Sequence, residues 1–369
     1  MKVVAVDIPT GVDADSGAVD PAALRADLTV TLGFPKKGLF CQPGADLVGA
    51  LEIADIGLPE GLADGITGEL LTAGTVRELL PDRPSQANKG TFGRALVVAG
   101  CGSYPGAAAL ACHGALRAGA GLVTLAATPA VGRAAAASLA EPTHLPLPPA
   151  GQDAIAAAAV QALVTATAQY DALLVGCGLG QHPETKLFVE RLLLGDVNLP
   201  ARLLIDADAL NILATLPRWW ERLPQGSVLT PHPGEMARLL GGAVAEVQRD
   251  RIGAALAAAA QWRQVVVLKG AHTVIAAPDG RWRLSPFANP VLASAGTGDV
   301  LAGIIAGLMA QGASPFDAAS AGVYLHGAAG DSFARAHGDA GLLASDLCTL
   351  LPDVMSDIKA GRSVEPRRT

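Results

Sequence analysis

Short apolar runs recur along most of the chain, and many of them are followed by a stretch in which apolar residues have helical spacing. The clearest runs are RALVVAG, LVTLAATP, DALLVGCGLG, RLLIDADALNIL and SVLTPHPGEMARLLG. Ala-rich stretches near 131–139 and 154–168 predict further helices. The run VVVLKGAHTVIAAPDGRW predicts two strands joined by a loop and followed by an Asp-Gly turn. Alternating strands and helices predict an α/β fold with a mainly parallel central sheet.

The N-terminal part has a different pattern. Its apolar runs are KVVAVD, ADLTVTLGFPKKGLF and GALEIADIGLPE, with no long amphipathic helix between them. Three strands without helices cannot cover both faces of a sheet. Residues 1–60 therefore predict a partial α/β segment, whose first part is missing or which packs on the next domain. Residues 61–84 are rich in turn residues and predict a linker or the start of a second domain over 85–360.

Composition supports a large core built from small apolar residues. Of 369 residues, 50% are hydrophobic but only 4% are aromatic, and there are 43 glycines and 25 prolines. The net charge of −7 comes without a basic run, which argues against a nucleic-acid-binding surface. We expect a protein with small-molecule partners and no nucleic-acid partner.

The cysteines and the apolar runs bear on location. Five cysteines occur without a CxxC pair, so they predict packing roles in a reducing compartment: Cys41, Cys101, Cys112, Cys177 and Cys348. The N-terminus lacks a secretory pattern, and the apolar runs are shorter than the roughly 20 residues that a membrane span needs. We expect a cytoplasmic protein that does not enter a membrane.

The stretch from Asn289 to Gln311 is the strongest chemical signal. It passes from a small-residue loop, AGTG, directly into a long apolar helix. Gly296, Thr297 and Gly298 leave the backbone free to direct several N–H groups at one anion, and the helix dipole adds to this. Asp299 would repel that anion unless it removes a proton, so we interpret it as a base. The alternative is a helix-start acid that complements the dipole.

Other polar candidates also follow apolar runs. Asp206 and Asp208 lie at the end of one strand, where they face a cleft or cap the next helix. His232 and Glu235 lie at a helix start, where they face the cleft or serve as a loop hydrogen-bond partner and a first-turn acid. Lys269 binds a phosphate or is a solvated edge residue. His326, within a helical pattern, predicts a core or interhelical histidine rather than a ligand.

These candidates all lie in loops that follow apolar strands. Such loops meet at one edge of a parallel sheet, so we expect the candidates to lie close together. A Gly-rich anion loop, a lysine loop, a histidine and carboxylates together predict phosphoryl transfer, with Mg²⁺ bridging the phosphates. The motifs GxxxxGK[ST] and GxSxG and zinc-ligand spacings are missing from the sequence.

The N-terminal motifs resemble the C-terminal part of the NAD(P)H-hydrate epimerase domain. They are AVDIPTGVDADSG, ADLTVTLGFPKKGL and ADIGLP. The resemblance implies that Asp7 contacts the hydrated nicotinamide and that Thr10 helps to hold K⁺. The family's N-terminal portion would have to precede Met1, which argues against epimerase activity. A misassigned start, a fragment and a structural appendage are all compatible with this sequence.

Seven ordered motifs, from roughly residue 66 to roughly residue 355, resemble the ADP- or ATP-dependent NAD(P)H-hydrate dehydratases. They are NKGTFGRALVVAG, YPGAAALACHGALRAGAGLVTLA, VGCGLG, IDADALN, TPHPGEMARLL, VVLKGAHTVI and AGTGDVLAGIIAGLMAQG. The resemblance implies a ribokinase-like three-layer sandwich that binds NADHX or NADPHX. Together the two resemblances match the domain order of bifunctional NAD(P)H-hydrate repair enzymes.

The resemblance also implies roles for individual residues. Asp299 takes a proton from the ring hydroxyl, which then attacks the terminal phosphate of ADP or ATP. The adenine nucleotide contacts the AGTG loop and the lysine loop, that is Gly296, Thr297, Gly298, Lys269, Gly270, Ala271, His272 and Thr273. The hydrated dinucleotide contacts Asp299 and three further positions, Ala107, Gly178 and His232. Glu235 places Mg²⁺ through water.

Two other functions stay open at this point. A ribokinase-like kinase for a vitamin or a sugar would use the same loop and the same acid, and only its product would differ. A regulatory protein would bind the nucleotide without turnover. The dehydratase resemblance also leads us to expect a homo-oligomer.

Overall fold

A computed structural model describes residues 2–59, 61–151 and 153–362. The N-terminal strands are β1 (Val4–Val6), β2 (Leu28–Leu32) and β3 (Ala50–Ala54). They form a parallel sheet in the order β1-β2-β3, in which Val4 pairs with Leu28 and Leu28 pairs with Ala50. Only two short 3-10 helices, Lys37–Phe40 and Gly44–Leu47, occur among the described residues of this part. The prediction of strands without long helices is confirmed.

The remaining strands are β4 (Gly68–Leu70), β5 (Arg94–Val98), β6 (Leu122–Ala127), β7 (Thr143–Pro146), β8 (Pro149–Ala150), β9 (Ala154–Ile155), β10 (Ala172–Val175), β11 (Arg202–Ile205), β12 (Val228–Leu229), β13 (Val265–Leu268), β14 (Val274–Ala276) and β15 (Trp282–Leu284). Ten of them form one sheet in the order β4-β15-β14-β13-β12-β11-β10-β5-β6-β7. Only β14 runs against its neighbours, so the carboxyl ends of β5, β6, β7 and β10 to β13 meet at one edge.

The helices are α1 (Ala73–Leu79), α2 (Pro105–Arg117), α3 (Pro129–Ser138), α4 (Val160–Ala166), α5 (Pro183–Leu194), α6 (Ala207–Leu213), α7 (Pro233–Leu240), α8 (Val244–Arg249), α9 (Arg251–Trp262), α10 (Thr297–Ala310), α11 (Pro315–His337) and α12 (Ala344–Lys359). Buried residues of α1 to α3 and α10 to α12 pack on one face of the sheet, and those of α4 to α9 on the other. The structure is therefore a three-layer α/β sandwich, as the sequence predicted.

Two stretches differ in detail from the sequence expectations. The predicted helix at 154–168 begins with β9 and a short 3-10 helix, and α4 starts only at Val160. Residues 61–84, predicted as a linker or as the start of the second domain, contain β4 and α1. β4 pairs with β15 at the edge of the large sheet through Glu69 and Arg283, and the two side chains form an ion pair at 2.8 Å.

Small residues bring α10 and α2 into close contact. A methyl group added at Gly303 would lie 2.1 Å from the carbonyl oxygen of Ala111, so only glycine allows this approach. From Val300 to Ala310, α10 is apolar and lies buried between α2, α11 and the sheet. This packing fixes the start of α10 at the carboxyl edge of the sheet.

Candidate functional site

The start of α10 forms an open turn of backbone donors. Gly296 precedes the helix with a left-handed φ of 88°, and the Thr297 hydroxyl donates to the carbonyl oxygens of Leu292 and Ser294 at 2.9 Å each. Among the described residues, no acceptor bonds the N–H groups of Gly298 and Asp299. Free N–H groups at a helix N-terminus are well suited to bind an anion.

Asp299 is the third residue of α10 and is partly buried. Burial and then the negative charge of Asp206 raise the pKa of Asp299 to about 7, although Cys177 and Lys269 act in the opposite direction. A carboxyl group with a pKa near 7 is poised to accept a proton at neutral pH. The helix-dipole alternative does not account for this raised pKa, because a helix N-terminus favours the ionised form.

Asp206 is 1% exposed. It lies at the centre of a polar cluster that also contains Cys177, Lys269 and Asp299. Its Oδ1 accepts hydrogen bonds from Thr230 Oγ1 at 2.6 Å and from Lys269 Nζ at 2.8 Å. The Cys177 thiol donates to its Oδ2 at 3.6 Å. One ligand-type atom each of Cys177, Asp206 and Asp299 lie within 4.8 Å of one another. Asp206 occupies the N-cap position of α6, but its side chain makes no capping hydrogen bond and bonds Thr230 and Lys269 instead.

Asp208 has a supporting role in the same loop. Its carboxylate accepts from the N–H of Gly180 at 2.8 Å and from Gln181 Nε2 at 3.0 Å. These bonds connect the first turn of α6 to the loop after β10. Asp208 therefore holds the loop that carries Gly178, and it does not cap a helix.

Lys269 follows β13 and turns toward the acids. Burial lowers its pKa, but the charges of Asp206 and Glu235 outweigh burial, so that the pKa of Lys269 is raised overall. Its Nζ lies 3.9 Å from Glu235 Oε2. The alternative of a solvated edge lysine is wrong, because the side chain is only 18% exposed and ion-paired.

The lysine loop and the α10 turn meet in space. A Cβ built on Gly298 would lie 3.6 Å from Lys269 Nζ. Within the loop, the Thr273 hydroxyl donates to the Gly270 carbonyl at 2.9 Å. His272 has a left-handed φ of 49°, and its Nδ1 lies 3.1 Å from the Ser285 carbonyl oxygen. The lysine loop and the α10 turn are therefore neighbours through Lys269 and Gly298.

His232 and Glu235 fix the start of α7. His232 Nδ1 accepts from the N–H groups of Gly234 at 3.0 Å and of Glu235 at 3.3 Å, while Glu235 Oε2 accepts from the His232 N–H at 2.8 Å. Their alternative role as helix-start residues is therefore realised. The His232 side chain is still 50% exposed. Burial is the main cause that raises the pKa of Glu235 and lowers that of His232.

Ala107 and Gly178 lie on facing elements. A Cβ on Gly178 would be 2.7 Å from Ala107 Cβ, so the first turn of α2 packs on the loop after β10. The preceding residue, Cys177, is buried and contacts both Asp206 and Asp299. The sequence assigned Cys177 only a packing role, although its place at the carboxyl end of a strand was a usable signal.

His326 and the N-terminal candidates lie outside the cluster. His326 Nε2 is 3.0 Å from the Thr297 carbonyl oxygen, which makes it the interhelical histidine that the sequence predicted. Asp7 accepts from the Leu32 N–H at 3.0 Å and pairs with Lys36. Thr10 is exposed. The partners of Asp7 in the described part of the chain all belong to the N-terminal segment, in β2 and the loop that follows it.

The oxygen donors of the cluster suit Mg²⁺. Hard cations prefer carboxylate oxygens and water, and Mg²⁺ usually keeps several waters. Glu235 uses Oε2 for the His232 N–H, and a carboxylate has further lone pairs. The residues present therefore fit a water-mediated Mg²⁺ beside the nucleotide loops.

Family comparison agrees with this architecture. The NAD(P)H-hydrate dehydratase family model matches residues 95–353, and the model of the YjeF-related protein N-terminus matches residues 1–38. The bifunctional NAD(P)H-hydrate repair enzyme of Moorella thermoacetica is 45% identical over 97% of this chain and 67% of its own length. The Escherichia coli enzyme of the same name is 36% identical over 96% and 65%. The chain thus spans about two thirds of the length of these relatives.

Solved structures give the same result. A Bacillus subtilis ADP/ATP-dependent NAD(P)H-hydrate dehydratase, co-crystallised with ATP and Mg²⁺, superposes with a TM-score of 0.67 at 34% identity. The superposition covers 80% of this chain and 100% of the Bacillus subtilis chain. A ribokinase-like protein of Enterococcus faecalis gives a TM-score of 0.68 at 25% identity, over 79% and 97%. The predicted ribokinase-like fold is confirmed.

These findings decide between the alternatives that the sequence left open. They support an enzyme of the dehydratase kind over a vitamin or sugar kinase and over a regulatory protein without turnover. No described helix is both long and apolar enough to cross a bilayer. The chain belongs to the NAD(P)H-hydrate dehydratase family.

Proposed function

We propose that this chain converts the S epimer of hydrated NADH or NADPH back to NAD(P)H at the expense of ADP or ATP. The observation that carries the proposal is the environment of Asp299. Its carboxyl group combines a pKa of about 7 with a place at the first turn of α10, beside free backbone donors and Lys269. A base and an anion site in one cleft are what transfer of phosphate to a hydroxyl requires.

In the first step, Asp299 takes the proton of the ring hydroxyl, and the hydroxyl oxygen attacks the terminal phosphorus. The bond from that phosphorus to its bridging oxygen breaks. The product is therefore AMP when the donor is ADP, and ADP when the donor is ATP. In the second step, the C–O bond breaks and phosphate leaves with the electron pair. Loss of a proton from the neighbouring carbon then restores the ring double bond. Phosphorylation makes the elimination possible because phosphate is a better leaving group than hydroxide.

The residues around the cleft divide into two sides. On the nucleotide side we place Lys269 and the loop through Thr273, together with the turn from Gly296 to Gly298. On the substrate side we place Ala107, Gly178 and His232. The Asp206 carboxylate holds Lys269 between the sides, where the ammonium group can stabilise charge on the transferring phosphate.

Mg²⁺, bound through water at Glu235, would neutralise charge on the nucleotide phosphates. Glu235 is 4% exposed and is fixed by the His232 N–H, so its orientation is set before the ligand arrives. A K⁺ ion at Thr10 would belong to the N-terminal segment and not to this reaction. Self-association of the chain stays a prediction. Sedimentation velocity would test it by measuring the oligomeric state.

The test mixes the protein with S-configured NADHX, Mg²⁺ and ADP or ATP, and follows both the reduced-nicotinamide absorbance and the nucleotide products. We expect NADH, phosphate and AMP (from ADP) or ADP (from ATP) in equal amounts. A stable phosphorylated NADHX without NADH would mean a kinase. No reaction of folded protein that binds ADP would reject the proposal.

A further inference from the structure

The N-terminal segment lies next to the lysine loop, and a cavity of about 270 Å³ is lined by residues of both parts. Its walls include Lys37, Phe40 and Cys41 from the N-terminal segment and Arg249, Arg251 and His272 from the large domain. Val274 and Leu284 also line the cavity, and they pack with the helices α4 to α9. The N-terminal segment therefore contacts the lysine loop on the face of the sheet opposite to α10.

Phe40 makes a direct contact with the loop. It is the last residue of the 3-10 helix Lys37–Phe40, and its ring meets the ring of His272 edge to face, with the centroids 5.2 Å apart and the planes at 82°. His272 has a left-handed φ of 49°, which residues other than glycine adopt rarely. Its Nδ1 lies 3.1 Å from the Ser285 carbonyl oxygen. The His272 ring is thus held by Phe40 as well as by the segment after β15.

Arg251 holds the beginning of the loop. It is the first residue of α9, and its Nη2 donates to the carbonyl oxygens of Leu268 at 3.0 Å and of Lys269 at 3.3 Å. Its Nη1 donates to Gln248 Oε1 at 2.8 Å. Within the part of the chain that the structure describes, no carboxylate forms an ion pair with Arg251. A partly buried cation is unfavourable unless it is hydrogen-bonded, and here the loop carbonyls supply the bonds.

The peptide group between Lys269 and Gly270 is held at both ends. Arg251 bonds its carbonyl oxygen, and Thr273 Oγ1 accepts a hydrogen bond from its N–H at 3.2 Å. Gly270 has a positive φ of 146°, and a Cβ on it would lie 2.9 Å from Arg251 Nη2. These contacts fix the backbone from which the Lys269 side chain extends to Asp206, where the distance from Nζ to Oδ1 is 2.8 Å.

We propose that Arg251 and Phe40 are positioning residues for the nucleotide site, so that the N-terminal segment supports the dehydratase reaction by holding the lysine loop. The inference rests on the proposed function, because it needs the lysine loop to bind ADP or ATP. Arg251 acts through the peptide group that follows Lys269, and Phe40 acts through His272. It gives the N-terminal segment a role that does not depend on epimerase activity.

The first test measures binding of Mg-ADP to the full chain by calorimetry. Arg251→Met is compared with Arg249→Met, a change of its exposed neighbour at the end of α8, and Phe40→Ala with Phe34→Ala, which removes an exposed ring of the same segment. We expect Arg251→Met to weaken binding roughly 10- to 100-fold, because hydrogen bonds from a charged donor are lost. Phe40→Ala should weaken it roughly two- to tenfold, because only a ring contact is lost. Both controls should bind Mg-ADP like the wild type.

A double-mutant cycle tests whether Phe40 acts through the loop. His272→Asn removes the ring and keeps a residue type that accepts a left-handed backbone. In the His272→Asn background, Phe40→Ala should have no further effect on Mg-ADP binding, and Phe40→Tyr, which keeps the ring, should bind like the wild type. In turnover, Phe40→Ala should raise the KM for ADP and leave the KM for S-NADHX unchanged. An equal loss of Mg-ADP affinity in both backgrounds would mean that Phe40 only stabilises the fold, which overturns its positioning role.

Turnover separates failure of this inference from failure of the proposed function. If S-NADHX is dehydrated but Arg251→Met and Phe40→Ala bind Mg-ADP like their controls, the inference is overturned and the proposed function stands. If the expected binding pattern occurs without dehydration, the positioning role stands and the proposed reaction is wrong. Thermal unfolding of each variant shows whether it is folded at the assay temperature. If Arg251→Met is unfolded there, the Phe40 variants and the cycle decide the outcome.

Discussion

Two aspartates show how surroundings decide what a carboxyl group can do. Asp7 directly follows β1, where Lys36 and the Leu32 N–H hold the pKa of Asp7 below its usual range. Asp299 starts α10, where burial and the charge of Asp206 raise the pKa of Asp299 to about 7. The surroundings of Asp7 favour its ionised form, whereas the surroundings of Asp299 favour its protonated form. Only the second is suited to act as a base at neutral pH.

The two lysines add to this difference in pKa, although burial is the largest cause at Asp299. Lys36 has Asp7 as its carboxylate partner and bonds it directly. Lys269 lies 2.8 Å from Asp206 and 3.9 Å from Glu235, so its charge is already shared by two acids before it acts on Asp299. A lysine that is already paired with other carboxylates lowers the pKa of a further acid only a little. A lysine that is paired directly with one acid lowers the pKa of that acid more.

The largest expected effect is on catalysis. We predict that Asp299→Asn lowers the rate of S-NADHX dehydration by roughly 10²–10⁴, because the amide cannot accept the hydroxyl proton. The matched control is Asp7→Asn, which should keep the wild-type rate. Equal rates for Asp299→Asn and the wild type would remove Asp299 from the mechanism.

The second effect is on folding. Lys269→Met leaves the carboxylate of Asp206 buried without its cation, which should lower the free energy of unfolding by about 3–5 kcal/mol. Lys36→Met breaks a pair whose side chains are 26% and 37% exposed, and should lower it by at most about 1 kcal/mol. Urea unfolding of both variants measures the difference. Similar losses would mean that the two pairs have similar surroundings.

The third effect depends on pH and has opposite signs at the two aspartates. The carboxyl pKa of Asp299 rises from 3.8 to about 7 on folding, so folding disfavours ionisation and stability falls as the pH rises through this range. Asp299→Asn removes that loss and should stabilise the protein more at pH 8 than at pH 5, with an upper bound of about 4 kcal/mol. Partial exposure will reduce this value.

Asp7 has a lowered pKa, so its ionised form stabilises the fold above the unfolded pKa and this contribution is lost as the pH falls. Asp7→Asn should therefore destabilise the protein at pH 8, by at most about 1 kcal/mol at such an exposed pair. The unfolding free energies at both pH values decide the signs. Stabilisation by Asp7→Asn at pH 8 would contradict this part of the comparison.

The smallest expected effect is on the R epimer of NADHX. We predict that the chain leaves the R pool at the level of a buffer blank, because Asp7 is held by Lys36 and only residues 1–38 match the YjeF-related N-terminal model. Chiral chromatography of R-NADHX measures this. Conversion faster than in the blank would show that the N-terminal segment is active.

The architecture was predictable because it follows from local pattern. Apolar runs that end in glycine gave β5 and β10, the run LVTLAATP gave β6, and the small-residue loop before an apolar helix gave α10. Strand β4 was not predicted, since its three residues are defined by pairing with β15, more than 200 positions away in the sequence. Short elements that depend on distant partners carry little signal of their own.

The site was predictable in its members but not in their contacts. For Asp206 the sequence left two roles open, a helix cap and an acid that faces the cleft. In the structure its side chain bonds Thr230 and Lys269, which are 24 and 63 residues away along the chain. Cys177 was assigned to packing, although it contacts both aspartates. The sequence pattern predicts which side chains lie at one edge of the sheet. Which of them form hydrogen bonds or ion pairs with one another is determined only by the fold.

The pH dependence of kcat/KM for S-NADHX, compared between the wild type and Asp206→Asn, tests the central claim most directly. If Asp299 is the base and its pKa is raised by burial and by Asp206, the wild-type profile should fall on the acid side near pH 7. Asp206→Asn should move that fall to lower pH by roughly one unit, because a repelling charge is removed. Titration of the nucleotide itself would not shift with the variant. A fall at the same pH in both proteins would contradict the account.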